Sequence, residues 1–80
     1  MEKVIDISNG FSPVKMFNQM KVGDIYKIPY DDSRHNGIKS EAARRNRDAR
    51  LMGKLKGKID LLYRVSTAEY PGYTSVIKLK

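Results

Sequence analysis

The central stretch GIKSEAARRNRDARLMGKLKGK, residues 37–58, carries the strongest structural pattern in this chain. At 100° per residue, Ile38, Ala42, Ala49 and Met52 fall within about 80° of one another, as in the apolar stripe of an amphipathic helix. The stripe is narrow and rich in alanine, so the helix can lie close against a sheet. We predict a helix over about residues 38–56, which Gly57 ends.

The positive charge of the chain is confined to the same region. Residues 34–58 contain nine Lys and Arg side chains and two acidic ones, whereas the charges of the other residues cancel, so the net charge of +7 belongs to this segment. Such an asymmetry creates a local field that attracts polyanions. The alternative interpretation is a solvated helix face that is basic only for solubility.

The basic side chains lie together when the sequence is placed on a helix. Four of them, Lys39, Arg47, Arg50 and Lys54, share one face with Ala43 and Asn46, opposite the apolar stripe. Such a helix can enter the major groove of DNA, where arginine reads guanine, asparagine reads adenine and alanine permits a close approach. The predicted nucleic-acid contacts are Lys39, Asn46, Arg47 and Arg50 in the groove, and Arg44, Lys54, Lys56 and Lys58 at phosphates.

The segments around this helix predict an α+β fold. Short runs rich in β-branched residues predict strands near residues 4–8, 25–30, 59–67 and 73–79. Ser12 followed by Pro13 predicts the start of a short helix near residues 13–20. DSRHNG, residues 32–37, is predicted to be a loop. We expect residues 1–80 to form one domain, in which a small antiparallel sheet packs on the main basic helix.

The sequence offers little for catalysis. There is no cysteine, and no serine stands at a spacing that suggests a nucleophile with a base. His35 is predicted to be solvated in a loop, and Asp31 and Asp32 have no second cluster of hard ligands to complete a metal site. We therefore expect neither enzymatic activity nor a cofactor. No apolar run is long enough for a signal peptide or a membrane span, so we predict a soluble, cytoplasmic protein without membrane partners.

The tyrosines suggest a second kind of contact. Tyr63 alternates with apolar residues and is predicted to lie in the core, whereas Tyr70 and Tyr73 flank the Pro71-Gly72 turn and are predicted to be exposed. They could stack on a base or contact a protein. A helix followed by a hairpin also resembles a winged arrangement, although Glu69 at the tip is unfavourable beside phosphate.

Three segments are similar to small basic proteins encoded by phages. They are MKVGDIYKIP at residues 20–29, AARRNRDARLMGKLKGK at residues 42–58 and YRVS at residues 63–66. The shared pattern is a Val-Gly-Asp turn before a strand that ends in proline, an arginine-rich helix with Gly-Lys near its end, and a closing strand. The resemblance implies a phage-like origin and fold. It also implies a possible host-protein partner, because small phage proteins often bind and redirect one.

The first hypothesis is a regulatory or architectural module that binds double-stranded DNA. The alternative is a phage-type inhibitor or adaptor whose basic helix docks on an acidic surface of a host protein, with Tyr70 and Tyr73 as further contacts. RNA binding through the same helix is a third possibility. The sequence leaves the target sequence and the oligomeric state open.

Overall fold

The computed structural model describes residues 1–8, 10–55 and 60–80, and within them the chain forms four strands and two helices. In chain order the elements are β1 (Glu2–Val4), α1 (Pro13–Gln19), β2 (Ile25–Pro29), α2 (Asp32–Leu51), β3 (Tyr63–Ser66) and β4 (Tyr73–Lys78). The predicted α+β fold is confirmed, with the sheet packed on the main basic helix.

The sheet has the strand order β1-β2-β4-β3. The pairs β2–β4 and β3–β4 are antiparallel as predicted, but β1 pairs with β2 in parallel, so the sheet is mixed. The reason is the connection: α1 lies between β1 and β2 and returns the chain to the end where β1 began, as parallel pairs require.

Strand β1 is shorter than predicted and begins nearer the N-terminus. The N–H of Ile5 still donates to the Lys27 carbonyl at 2.8 Å, but the Asp6 carboxylate then accepts from the N–H of Ser8 at 2.9 Å. This local bond turns the chain away from the sheet, because an aspartate side chain competes with strand pairing for the backbone.

The core lies between the helices and one face of the sheet. Its buried side chains come from every element except β1. Tyr63 is buried as predicted, with its ring edge-on to Phe17 at a centroid distance of 4.7 Å, a favoured aromatic geometry. The core consists of Met16, Phe17, Met20, Tyr26, Ile28, Ile38, Ala42, Tyr63 and Val76.

Helix α2 begins six residues before the predicted start. Asp31 is its N-cap, since the carboxylate accepts from the N–H groups of Ser33 and Arg34 at 3.1 and 3.3 Å. His35 Nδ1 lies 3.1 Å from the hydroxyl of Thr74 on β4 and fixes the first turn to the sheet. The predicted loop at residues 32–37 is therefore wrong, and His35 is half-buried in a helix.

The C-terminal end of α2 comes earlier than predicted. The N–H of Gly53 donates to the Arg50 carbonyl at 3.1 Å, and that of Lys54 to the Ala49 carbonyl at 2.9 Å. With Gly53 at φ 77°, these two bonds form a Schellman cap. The predicted helical residues 52–55 lie after the last helical residue, Leu51, and residue 56 lies outside the described residues. Met52 is consequently exposed, contrary to its predicted place in the apolar stripe.

The turn before β2 depends on Asp24, and this dependence predicts a pH effect. Its buried carboxylate accepts from the N–H of Lys21 at 2.9 Å, and this bond holds the pKa of Asp24 below the ordinary value of 3.8. A lowered folded-state pKa stabilises the protein above the unfolded pKa, and this contribution is lost as the pH falls through the folded one. Asp24→Asn should therefore reduce stability at pH 7 and matter progressively less below pH 3.8.

Urea unfolding of both proteins, followed by circular dichroism at neutral and at strongly acid pH, measures this difference. A penalty of the same size at both pH values would show that the charge of Asp24 contributes nothing.

Candidate nucleic-acid interface

Helix α2 separates a buried face from an outward face. Ile38, Ala42, Asn46 and Ala49 are buried against the rest of the fold. The spacing of three or four residues places them on one side of the helix. The outward face is exposed and begins with Asn36 and Ser40, continues through Lys39, Ala43 and Arg44, and ends with Arg47 and Leu51.

Asn46 does not belong to the outward face, contrary to the predicted base contact. Asn46 is 9 % exposed, and its amide oxygen accepts from the N–H groups of Leu62 and Tyr63, each at 2.9 Å. Its amide nitrogen donates to the Tyr63 carbonyl at 3.0 Å. The side chain continues the hydrogen bonding of the sheet by holding the start of β3 against α2. It is committed to the fold and is withdrawn as a nucleic-acid contact.

Arg44 is exposed, but carboxylates share its charge. It forms ion pairs with Glu41 and, at 3.5 Å, with Asp48. The hydrogen bond from Arg44 holds the pKa of Glu41 below its ordinary value, so that acid is ionised at neutral pH. Arg44 can still contact a phosphate, but only by weakening these pairs.

Arg45 has a structural role between the two helices. Its guanidinium donates to the side chains of Glu41 at 2.6 Å and Asn18 at 2.9 Å. The same group lies over the Phe17 ring at 5.3 Å from the centroid. These contacts fasten α1 to α2 and keep this cation out of the outward face.

The other predicted contacts, Arg50, Lys56 and Lys58, cannot be placed on the outward face with Lys39 and Arg47. Arg50 is half-buried and donates to the Asp60 carbonyl at 3.5 Å, so it is directed toward the chain that follows the helix. Lys56 and Lys58 lie outside the described residues.

Three predicted contacts lie exposed with no salt bridge to any described residue. They are Lys39 and Arg47 on the helix and Lys54 just after its cap. Most other cations near α2 are engaged, as shown by Arg44 and Arg45. These three side chains can therefore neutralise a phosphate without first losing a carboxylate partner.

Asn36 and Ser40 are exposed polar side chains that sequence reasoning missed. They lie four residues apart on the outward face, and Ala43 follows Ser40 by three residues on the same face. Because residues 32–37 were predicted to form a loop, Asn36 had no place on a helix face. The available signal was the Asp31-Asp32 pair, which suits an N-cap and a first helical turn.

The two ends of α2 carry opposite charge. Asp31 and Asp32 are exposed at the N-terminal end, whereas Arg47 and Lys54 are exposed at the C-terminal end. A polyanion would therefore be attracted to the C-terminal half of the outward face and repelled from the start of the helix.

The hairpin between β3 and β4 does not project as a wing. The Tyr70 hydroxyl donates to the Glu2 carboxylate at 2.8 Å, and the Lys27 ammonium lies 4.1 Å from the centroid of its ring. The loop is thus folded across the sheet face that the helices leave uncovered. Tyr70 and Tyr73 are half-buried, so they are less exposed than the turn suggested, although more exposed than the buried Tyr63. The possible protein contact through these tyrosines stays a prediction.

No family model, no curated protein and no solved structure was found to match this chain. Within the described ranges, neither helix combines the length and hydrophobicity of a membrane span. Across residues 1–8, 10–55 and 60–80, no group of three or more His, Asp or Glu side chains is arranged to hold a metal ion.

Proposed function

We propose that this chain binds nucleic acid, with a preference for double-stranded DNA, through the outward face of α2. The observation that carries this proposal is the pattern of ion pairing. Lys39, Arg47 and Lys54 are exposed and form no salt bridge within the described residues, while Arg44 and Arg45 on the same segment are paired. Exposed cations without a salt bridge are the usual means of neutralising phosphates.

The shape of the outward face is suited to a groove. A helix of 20 residues is about 30 Å long, and the major groove admits an α-helix. Ser40 and Ala43 are small, so the helix backbone can approach the bases between Lys39 and Arg47. In this arrangement Ser40 and Ala43 lie close to the base edges, and Lys39, Arg47 and Lys54 bind phosphates.

The helix lies on a rigid support. Asn46 holds one end of α2 to β3, and His35 holds the other end to β4. A recognition element fixed in this way loses little conformational entropy on binding. The exposed Asp31 and Asp32 limit the contact to the part of the helix from Lys39 onward.

A second candidate function is docking on an acidic protein surface, as in a phage-type inhibitor or adaptor. Leu51 and Met52 favour it, since they are large apolar side chains exposed beside Arg47 and Lys54. Methionine is enriched in protein interfaces, although leucine is under-represented among the residues that dominate binding energy. A phage origin and a location in the host cytoplasm stay predictions.

Fluorescence anisotropy with labelled duplex DNA, single-stranded DNA and duplex RNA tests the first candidate. We expect the duplex DNA to bind most tightly, with submicromolar affinity at low salt. If duplex RNA binds more tightly than duplex DNA, RNA and not DNA is the ligand. An affinity for all three no better than about 100 μM at physiological salt would contradict the proposal, because that is the weak end of non-specific binding.

A further inference from the structure

Leu51 and Met52 form an exposed apolar pair at the C-terminal end of α2. Leu51 is the last residue of the helix and is 79 % exposed, and Met52 is the C-cap and is 69 % exposed. Single exposed apolar side chains are common on protein surfaces. Two large ones in sequence at the tip of a basic helix are less easily explained by chance.

The chain holds this pair in a fixed position. The N–H of Met52 donates to the Asp48 carbonyl at 3.0 Å, and the Schellman cap at Gly53 closes the helix immediately afterwards. Leu55, one residue after Lys54, is buried and ties the cap to the body of the protein. The apolar pair therefore projects from an ordered turn, which is the form that an inserting side chain needs.

Cations stand on both sides of the pair along the chain. Arg47 lies one helical turn before Leu51, and Lys54 follows Met52 by two residues; both are exposed and have no salt bridge within the described residues. The two phosphate backbones likewise flank every base step in a duplex. The exposed Asp48 lies in the same turn but is paired with Arg44 at 3.5 Å, so Arg47 and Lys54 are the nearby charges that have no salt bridge within the described residues.

We propose that Leu51 and Met52 form a wedge that inserts between neighbouring base pairs and bends the DNA. This inference rests on the proposed DNA binding and gives it a mechanism. Proteins that bind the minor groove insert leucine and methionine between base steps, and the unstacking is offset by the additional protein surface that the bent duplex contacts. Here the pair would enter from the major groove, in which α2 is proposed to lie. Arg47 and Lys54 would hold the phosphates on each side of the opened step.

The composition of the surrounding surface favours DNA over a protein as the occupant. A stable protein interface buries about 800 Å² on each partner around an apolar centre. Here the neighbouring outward face adds no large apolar side chain to Leu51 and Met52. Leu55 and Leu62 border the pocket beside Met52, but Leu55 is buried and Leu62 is half-buried. The exposed apolar area is therefore small for a protein interface and sufficient for a wedge.

The test uses a duplex with central TA steps, which unstack readily, and with 2-aminopurine in place of adenine. Its ends carry a fluorescent donor and acceptor, so one sample reports base unstacking and end-to-end distance, while anisotropy reports binding separately. The full chain is compared with Leu51→Ala/Met52→Ala. A matched control, Val4→Ala/Val22→Ala, removes two exposed apolar side chains elsewhere.

We expect the wild-type protein and the control variant to raise 2-aminopurine fluorescence and shorten the end-to-end distance on binding. The wedge variant should retain affinity within about threefold and lose about four fifths of both signals, because phosphate contacts supply most of the affinity. Both substituted sites are exposed, so melting temperatures of the variants should match that of the wild type.

Binding of the wild-type protein without unstacking or bending would overturn the wedge and leave the proposed DNA binding intact. The wedge is overturned in the same way if the wedge variant distorts the duplex as the wild type does. Absence of binding to the duplex would overturn both. Undistorted DNA together with a host protein whose binding requires Leu51 and Met52 would assign the pair to a protein interface.

Discussion

Asn46→Leu is expected to lower the free energy of unfolding by about 3 kcal/mol or more. The substitution removes an amide that satisfies the N–H groups of Leu62 and Tyr63 and the Tyr63 carbonyl. Each buried backbone group left without a partner costs about 1 to 3 kcal/mol, and the three effects overlap because they share one strand end. The loss is large beside a total stability of about 5 to 15 kcal/mol. Urea unfolding followed by circular dichroism measures it.

Asn36→Leu is the matched control, since it makes the same change on the exposed side of the same helix. Its effect should stay within about 0.5 kcal/mol, as for most surface positions. If Asn46→Leu were equally mild, Asn46 would not be the connection between α2 and β3. It would then be available for the base contact that the sequence predicted.

The second large effect concerns affinity for DNA. Replacing Lys39, Arg47 and Lys54 together with glutamine is expected to weaken duplex binding roughly 100-fold, if each lost phosphate contact costs about 1 kcal/mol. All three side chains are exposed, so the fold should be unaffected. Anisotropy titrations at one fixed salt concentration measure the loss.

A variant with the same total charge isolates the effect of position. Lys3, Lys15 and Lys21 are also exposed, and their replacement by glutamine removes three positive charges away from α2. We expect this variant to bind duplex DNA within about tenfold of the wild type, because these three side chains do not belong to the proposed contact surface. Equal losses in both variants would mean that net charge, and not the outward face of α2, determines binding.

Helical periodicity predicted the buried apolar residues of α2 but not the buried Asn46. Ile38, Ala42 and Ala49 are buried as the pattern indicates. Asn46 lies at the edge of the same stripe, about 80° from Ile38 at 100° per residue, yet asparagine is usually exposed, which favoured the opposite face. A buried polar anchor depends on its hydrogen-bond partners, and these come from residues 62 and 63, which the helix sequence does not reveal.

Both ends of α2 differ from the prediction for related reasons. The Asn36-Gly37 pair is a common turn signal, but the Asp31 cap and the bond between His35 and Thr74 outweigh it. At the other end, Gly57 was predicted to end the helix, whereas the positive φ of Gly53 allows the cap that exposes Met52. Tertiary contacts decided the first case, and one local backbone conformation decided the second.

The sequence pointed to the helix of the candidate interface but not to the side chains that belong to it. Clustering of charge in the sequence pointed to α2, and Lys39, Arg47 and Lys54 remain in the proposed contact surface. The sequence could not show which cations are engaged within the protein. Arg44 and Arg50 each have partners, and these partners follow from side-chain geometry.

The salt dependence of duplex DNA binding tests the central claim most directly. If the basic segment neutralises about five to seven phosphates, log K against log salt should fall with a slope of about −4.5 to −6. The variant lacking Lys39, Arg47 and Lys54 should show a slope shallower by about 2.7, and the variant lacking Lys3, Lys15 and Lys21 should keep the wild-type slope. A wild-type slope near zero, or one that the first variant leaves unchanged, would contradict phosphate binding by the outward face of α2.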